Sequence, residues 1–193
     1  MIGTRRESFA ERRERKAAID DPAVVLDAAA RFLEARSRSV VEVRRRLTVA
    51  GYREDLVEGA IERLLELGML DDDVFARTWV ESRDRARPRG ERAIREELRL
   101  KGIDRAITDA VMAERRETAA TSLATSDDPD TAPLSADRIA AERLIARHAR
   151  SLARVADPRQ RRQRAYALLA RNGFDPETVG DVVRRWIDEP SPD

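Results

Sequence analysis

A chain of 193 residues can bury a core in one or two domains, and its make-up (39% charged, 4% aromatic, 8 Gly, 8 Pro) matches helix-rich proteins rather than sandwiches or barrels. The lack of cysteine excludes disulfides and thiolate metal sites, and no run of about 18 apolar residues is present to span a membrane. Thirty-eight basic against 37 acidic residues leave a formal charge of +1, which excludes an indiscriminate polycation and shifts attention to where the charges lie.

In chain order, residues 1–22 carry six basic side chains against Glu7, Glu11 and Glu14 before the Asp20-Asp21-Pro22 break, which predicts a charged helical extension. The start has no apolar stretch of signal-peptide length, so a soluble, cytoplasmic protein is expected. In "AAARFLEAR", Ala29, Leu33 and Arg36 predict a first helix. Ser39 is placed to N-cap a second, which ends at "LTVAGY". The same ending recurs in "LRLKGI" and "LARNGF", each with a Leu four residues before Gly51, Gly102 or Gly173 and a large apolar residue after it. Such a pattern reads as a helix closing on a left-handed glycine whose next side chain packs back. A third helix follows each glycine, with Val57, Ile61 and Leu64 on one face in the first copy and Val179, Val183 and Trp186 at matching offsets in the last. Ile107 and Val111 supply a looser match in the middle copy.

These elements predict an all-α chain of three tandem three-helix repeats, at residues 23–68, 69–116 and 136–189, recurring at about 50 and then about 70 residues. Residues 117–135, with four acids, no base and small polar residues, are expected to form a flexible acidic linker. Asp71, Asp72 and Asp73 open the second repeat, where carboxylates satisfy free N–H groups and meet the positive end of the helix dipole. A metal site is the competing reading, but no second cluster of ligands accompanies the three acids.

Taken together, "ARSRSVVEVRRRLTVAGY", "LLELGMLDDDVFARTWVESR" and "GERAIREELRLKGI" resemble the bacterial regulatory protein family RecX. The likeness runs over residues 24–116 and continues more weakly through 136–188. It implies an elongated, curved array of three-helix repeats that binds the RecA recombinase filament on single- or double-stranded DNA and reduces its ATPase and strand-exchange activities. It also implies a protein that is not an enzyme; a monomer without cofactor or membrane contact is expected. The arm at 1–22 and the linker at 117–135 depart from the compact family pattern.

Candidate contact residues come from the charge pattern. Arg143, Arg147, Arg150 and Arg154 follow steps of four, three and four along one helical face. With Arg161 and Arg162 they belong to a stretch, 143–164, holding eight arginines and one acid, Asp157. Uncompensated like charges at i and i+4 are mildly unfavourable, so the stripe is either a solvated face or the seat of an anionic partner. Arg83, Arg85, Arg87, Arg89 and Arg92 form a second cluster around the Pro88–Gly90 bend, and Arg44, Arg45 and Arg46 a third. All but Lys16 and Lys101 of the basic residues are arginine, consistent with planar bidentate contacts or simply with a GC-rich coding bias. A helical nucleic-acid binder acting without the recombinase is the alternative reading, although Trp79 and Trp186 are expected to be buried rather than offered for stacking. Catalytic sets are missing. The single histidine, His148, is placed near the apolar side of its helix, and no phosphate-cradling glycine loop occurs.

Overall fold

The computed structural model describes residues 7–123 and 135–188. Among them are ten helices and no strand: α1 (Phe9–Ala17), α2 (Pro22–Glu34), α3 (Val40–Ala50), α4 (Glu54–Glu66), α5 (Asp72–Ala86), α6 (Glu91–Leu100), α7 (Arg105–Leu123), α8 (Ala136–Ala153), α9 (Pro158–Arg171) and α10 (Pro176–Asp188). Three helices correspond to each predicted repeat, with α2 beginning at Pro22 and α7 running past residue 116, and α1 lies in the predicted extension. One expectation is corrected. Residues 117–123 are not spacer but continue α7, because Glu117, Ala119 and Ala120 favour a helix, no Gly or Pro interrupts them, and Ala119 is buried. Residues 124–134, the rest of the expected linker, lie outside the described residues.

The chain forms two compact units. The first comprises Met1–Phe75 with Lys101–Ile103. Its core joins Val25 and Ala29 of α2, Val43 and Leu47 of α3, and Val57, Ala60, Ile61 and Leu64 of α4. Helix α3 begins where Ser39 accepts from the Glu42 N–H and Glu42 accepts from the Ser39 N–H, a reciprocal cap. It ends where Gly51 takes φ 102° and Tyr52 folds back to donate its N–H to the Leu47 carbonyl. Helix α1 is held beside this end. Lys16 covers the Tyr52 ring at 4.6 Å, and a Cβ on Gly51 would come within 2.9 Å of the Arg13 backbone.

The second unit comprises Ala76–Leu100 with Asp104–Asp193. Its last three helices pack Ala141, Leu144, Ile145 and Leu152 of α8 against Ala165 and Leu169 of α9 and Val179, Val182 and Val183 of α10, with Phe174 beneath. Trp186 is only partly buried against this core. His148 is exposed. By spacing it stands on the apolar side of α8, in line with Ala141, Ile145 and Leu152, but it is not covered by the core.

Each unit contains the same small joint, built from one acid, one carbonyl and one glycine. In the first unit, the Val40 N–H at the start of α3 donates to Asp72 Oδ1 at 2.9 Å, the Ser39 hydroxyl donates to the Lys101 carbonyl at 2.6 Å, and a Cβ on Gly102 would overlap the Val41 side chain. In the second unit, the Glu91 N–H at the start of α6 donates to both oxygens of Asp137 at 3.0 Å. The Gly90 N–H donates to the Asn172 carbonyl at 3.0 Å, and a Cβ on Gly173 would overlap Ala93. In both, orphan donors at a helix start are satisfied by the first helix of the next repeat. The aspartate triplet therefore divides its labour. Asp71 caps α5 by accepting from the Asp73 and Val74 N–H groups, while Asp72 reaches to α3, where burial pushes its carboxyl up against the opposing pull of the Val40 N–H.

Glu42 ties the first joint to charge. Burial pushes its carboxyl up, but Lys101 Nζ at 2.7 Å, the Ser39 N–H and Arg36 outweigh it and hold the group below the usual glutamate value. A folded-state value below the unfolded one stabilises the fold above about pH 4.3 and is lost as pH falls through the folded value. Thermal unfolding followed from pH about 6 to 3 is thus expected to show a shallower acid limb for Glu42→Gln than for the parent; parallel limbs would remove Glu42 from the joint.

Candidate functional site

The two arginine clusters of the second unit converge. Helix α8 presents Arg143, Arg147 and Arg150 as exposed side chains on one face, and Arg154, its C-cap residue, is exposed just beyond. Arg147 donates from Nη1 to the Ala86 carbonyl at 2.6 Å and from Nη2 to the Arg85 carbonyl at 2.8 Å, and Arg143 reaches the Asp84 carbonyl at 3.4 Å. These are the carbonyls that α5 leaves without intrahelical partners at its C-terminus, where a cation also meets the negative end of the dipole. Arg143 and Arg147 thereby have an internal task that spacing along α8 does not disclose. Arg150 and Arg154 make no side-chain hydrogen bond or ion pair among the described residues, and Arg162, exposed on α9, makes none either. Arg161 turns inward and donates from Nε to the Val155 carbonyl at 3.1 Å, closing the α8–α9 turn.

Around the Pro88–Gly90 bend the arginines separate in the same way. Arg83 donates to Glu97 at 2.6 Å and lies over the Trp79 ring at 4.3 Å, while the Trp79 indole N–H donates to the same carboxylate at 2.8 Å. Trp79 is consequently half-buried under an ion pair instead of sunk in the core. Arg89 is 3.6 Å from Glu97, and Arg85 lies 3.9 Å from Glu81 with most of its side chain in solvent. Arg87 is exposed without a side-chain partner among the described residues. Of the arginines singled out by charge pattern in this unit, those left exposed and at most weakly paired are accordingly Arg85, Arg87, Arg92, Arg150, Arg154 and Arg162.

Beneath this surface is a buried charge centre that charge spacing did not single out. Arg115, on α7, has only 4% of its side chain exposed. Its guanidinium meets Asp84 of α5 at 2.9 Å, Asp137 of α8 at 2.6 Å and the Arg89 carbonyl at 3.3 Å. One cation and two carboxylates thus hold α5, α7 and α8 together, and Asp137 also serves the joint to α6. A signal for Arg115 is present in the sequence: it follows Val111 and Met112 at helical spacing on a face that is otherwise buried. In the first unit, Arg44 is fully engaged, donating from Nε at 2.7 Å and Nη2 at 2.8 Å to Glu58, whereas Arg45 and Arg46 carry no ion pair.

Among the described residues, no group of three or more His, Cys, Asp or Glu is placed to hold a metal ion, and no helix is long and apolar enough to cross a membrane.

Comparison with known proteins agrees with this architecture. Family models described as RecX first and second three-helix domains match residues 26–64 and 71–112, which span α2–α4 and α5 to the middle of α7. The Regulatory protein RecX of Mycobacterium sp. (strain JLS) is 35% identical over 156 residues, covering 79% of this chain and 76% of that one. That of Mycolicibacterium vanbaalenii is 31% identical over 159 residues, covering 79% and 77%. The crystal structure of RecX from Lactobacillus salivarius has the same fold, with a TM-score of 0.66 at 19% identity over 86% of this chain and 96% of that one. With its repeats, their glycine-ended helices and these relatives in agreement, the chain belongs to the RecX family of regulatory proteins.

Proposed function

We propose that this chain is a monomeric, non-catalytic regulator of the RecA recombinase that binds the recombinase–DNA filament and lowers its ATPase and strand-exchange activities. The observation that carries the reading is the set of exposed arginines, Arg87, Arg150, Arg154 and Arg162 without an acid partner and Arg85 only loosely paired with Glu81, gathered where α5 and α8 meet. Such groups keep their charge-assisted hydrogen bonds for phosphate or carboxylate on a partner. Contacts repeated along a filament then add through effective concentration, so each can be modest.

The test is recombinase ATPase on single-stranded DNA titrated with the parent and with Arg150→Glu/Arg154→Glu. Both positions are exposed and without side-chain partners, so the fold should persist. Loss of about 1.4 kcal/mol or more of binding shifts half-inhibition at least about tenfold to higher concentration. Superimposable curves would exclude the cluster from the mechanism. Reversal at Arg147 is a poorer test, because it strips the α5 carbonyls of their donor.

A further inference from the structure

In the first two repeats, the residues seven before and seven after the closing glycine form an ion pair that bridges the second and third helices. They are Arg44 and Glu58, joined at 2.7 and 2.8 Å, and Arg95 and Asp109, joined in the same way. In the third repeat the same positions hold Tyr166 and Gly180, which can form no such pair. Tyr166 is 43% exposed. Gly180 lies inside α10 without a positive φ, and an added Cβ would have nothing within 4 Å, so the fold does not require so poor a helix former there. Beside Tyr166 runs a groove of about 560 Å³ whose apolar part is formed by Ala170, Phe174 and Val179. Three acids also line it, and each is already engaged: Glu91 by Arg95 and Arg116, Asp137 by Arg115, and Asp175 by Thr178. Arg92, on the same groove, is exposed and makes no side-chain hydrogen bond or ion pair among the described residues.

We propose that this groove docks a segment of the recombinase polypeptide, which sets one aliphatic or aromatic side chain against Tyr166 and a neighbouring carboxylate on Arg92. A half-exposed tyrosine beside an apolar hollow offers a large, rigid contact area with a polar edge, the kind of group that carries binding energy at protein interfaces. Charge decides between occupants. A single carboxylate next to an apolar side chain uses the free guanidinium and keeps clear of the three acids, whereas the repeated phosphates of a nucleic acid would be brought against them. The first two repeats spend this face on an internal ion pair, so the third alone has it to offer. The inference rests on the regulatory reading for the partner and adds that this face meets protein and not DNA.

The experiment titrates recombinase ATPase on single-stranded DNA with the full-length parent, with Tyr166→Arg/Gly180→Glu, which installs the pair of the first repeat, and with Arg92→Glu. The double variant is expected to melt no lower than the parent, since it replaces a helical glycine by a better helix former and adds an ion pair. Each variant is nevertheless expected to need at least about tenfold more protein for half-inhibition. A Tyr166 that serves only the fold would give the reverse, a lower melting point with inhibition unchanged. If the double variant melts lower and inhibits less, Arg92→Glu, at an exposed position without a partner, decides alone. Superimposable inhibition curves would overturn the proposal and leave the regulatory reading standing, whereas a parent that does not inhibit would overturn both. Two further arms test the other occupants. Parent affinity for labelled oligothymidine that the double variant loses would assign the face to nucleic acid, and parent self-association in sedimentation that the variant loses would assign it to a second copy of this chain. Either result would overturn the proposal.

Discussion

Arg115→Ala is expected to destabilise the second unit by about 3–5 kcal/mol, because it leaves the largely buried Asp137 and the partly buried Asp84 without their cation. For a chain of this size that corresponds to a melting point lower by roughly 6–20 °C. The magnitude reflects the loss of one partner, not the worth of the intact network. Adding Asp84→Asn to the variant removes one stranded charge and is expected to restore part of the loss, so the two substitutions should be strongly non-additive. Additive effects in thermal or denaturant unfolding would show that the carboxylates are solvated and the centre is not a unit.

The second large effect is expected at Gly173. Alanine there must adopt φ near +84°, which costs about 1–2 kcal/mol, and its methyl must also enter space held by Ala93, an overpacking of about 1–3 kcal/mol. Gly68 supplies the internal control: it has φ +65° with no atom within 4 Å of an added Cβ, so Gly68→Ala carries the conformational cost alone. Denaturant unfolding of the two variants is therefore expected to differ by about 1–3 kcal/mol, and the difference measures the close approach at the joint. Equal losses would mean that the α6 end of the joint yields without resistance.

The features legible in the sequence are those with a local cause. A Leu four residues before a Gly, followed by a large apolar residue, specifies a helix end through bonds that span only a few residues. Gly51, Gly102 and Gly173 all take positive φ, with Tyr52, Ile103 and Phe174 buried behind them. Ser39 and Asp71 as caps follow from the same short-range logic. What escaped sequence reasoning depends on partners far along the chain. Arg147 has the spacing of a surface stripe, yet its acceptors are carbonyls 61 and 62 residues away. Trp79 has core spacing but shares Glu97 with Arg83 on a half-exposed face. The run after Arg116 has a linker's composition, but nothing in it stops a helix already under way before its seventh residue. Asp72 and Asp137 are matched only when counted from the buried alanines four residues on, Ala76 and Ala141, a register that the caps obscure because Asp71 and Ser135 stand at different distances from them.

The joint leaves most of its surroundings free to vary. It is made largely of main-chain donors and acceptors and of space where a methyl is missing, and it fixes the identity of little besides one acid and one glycine, with the Ser39 hydroxyl in the first joint and Gly90 in the second. Drift at the remaining positions leaves the coupling intact, so descendants can share this architecture after their residues have largely diverged, and a splice between modules has only three letters to conserve.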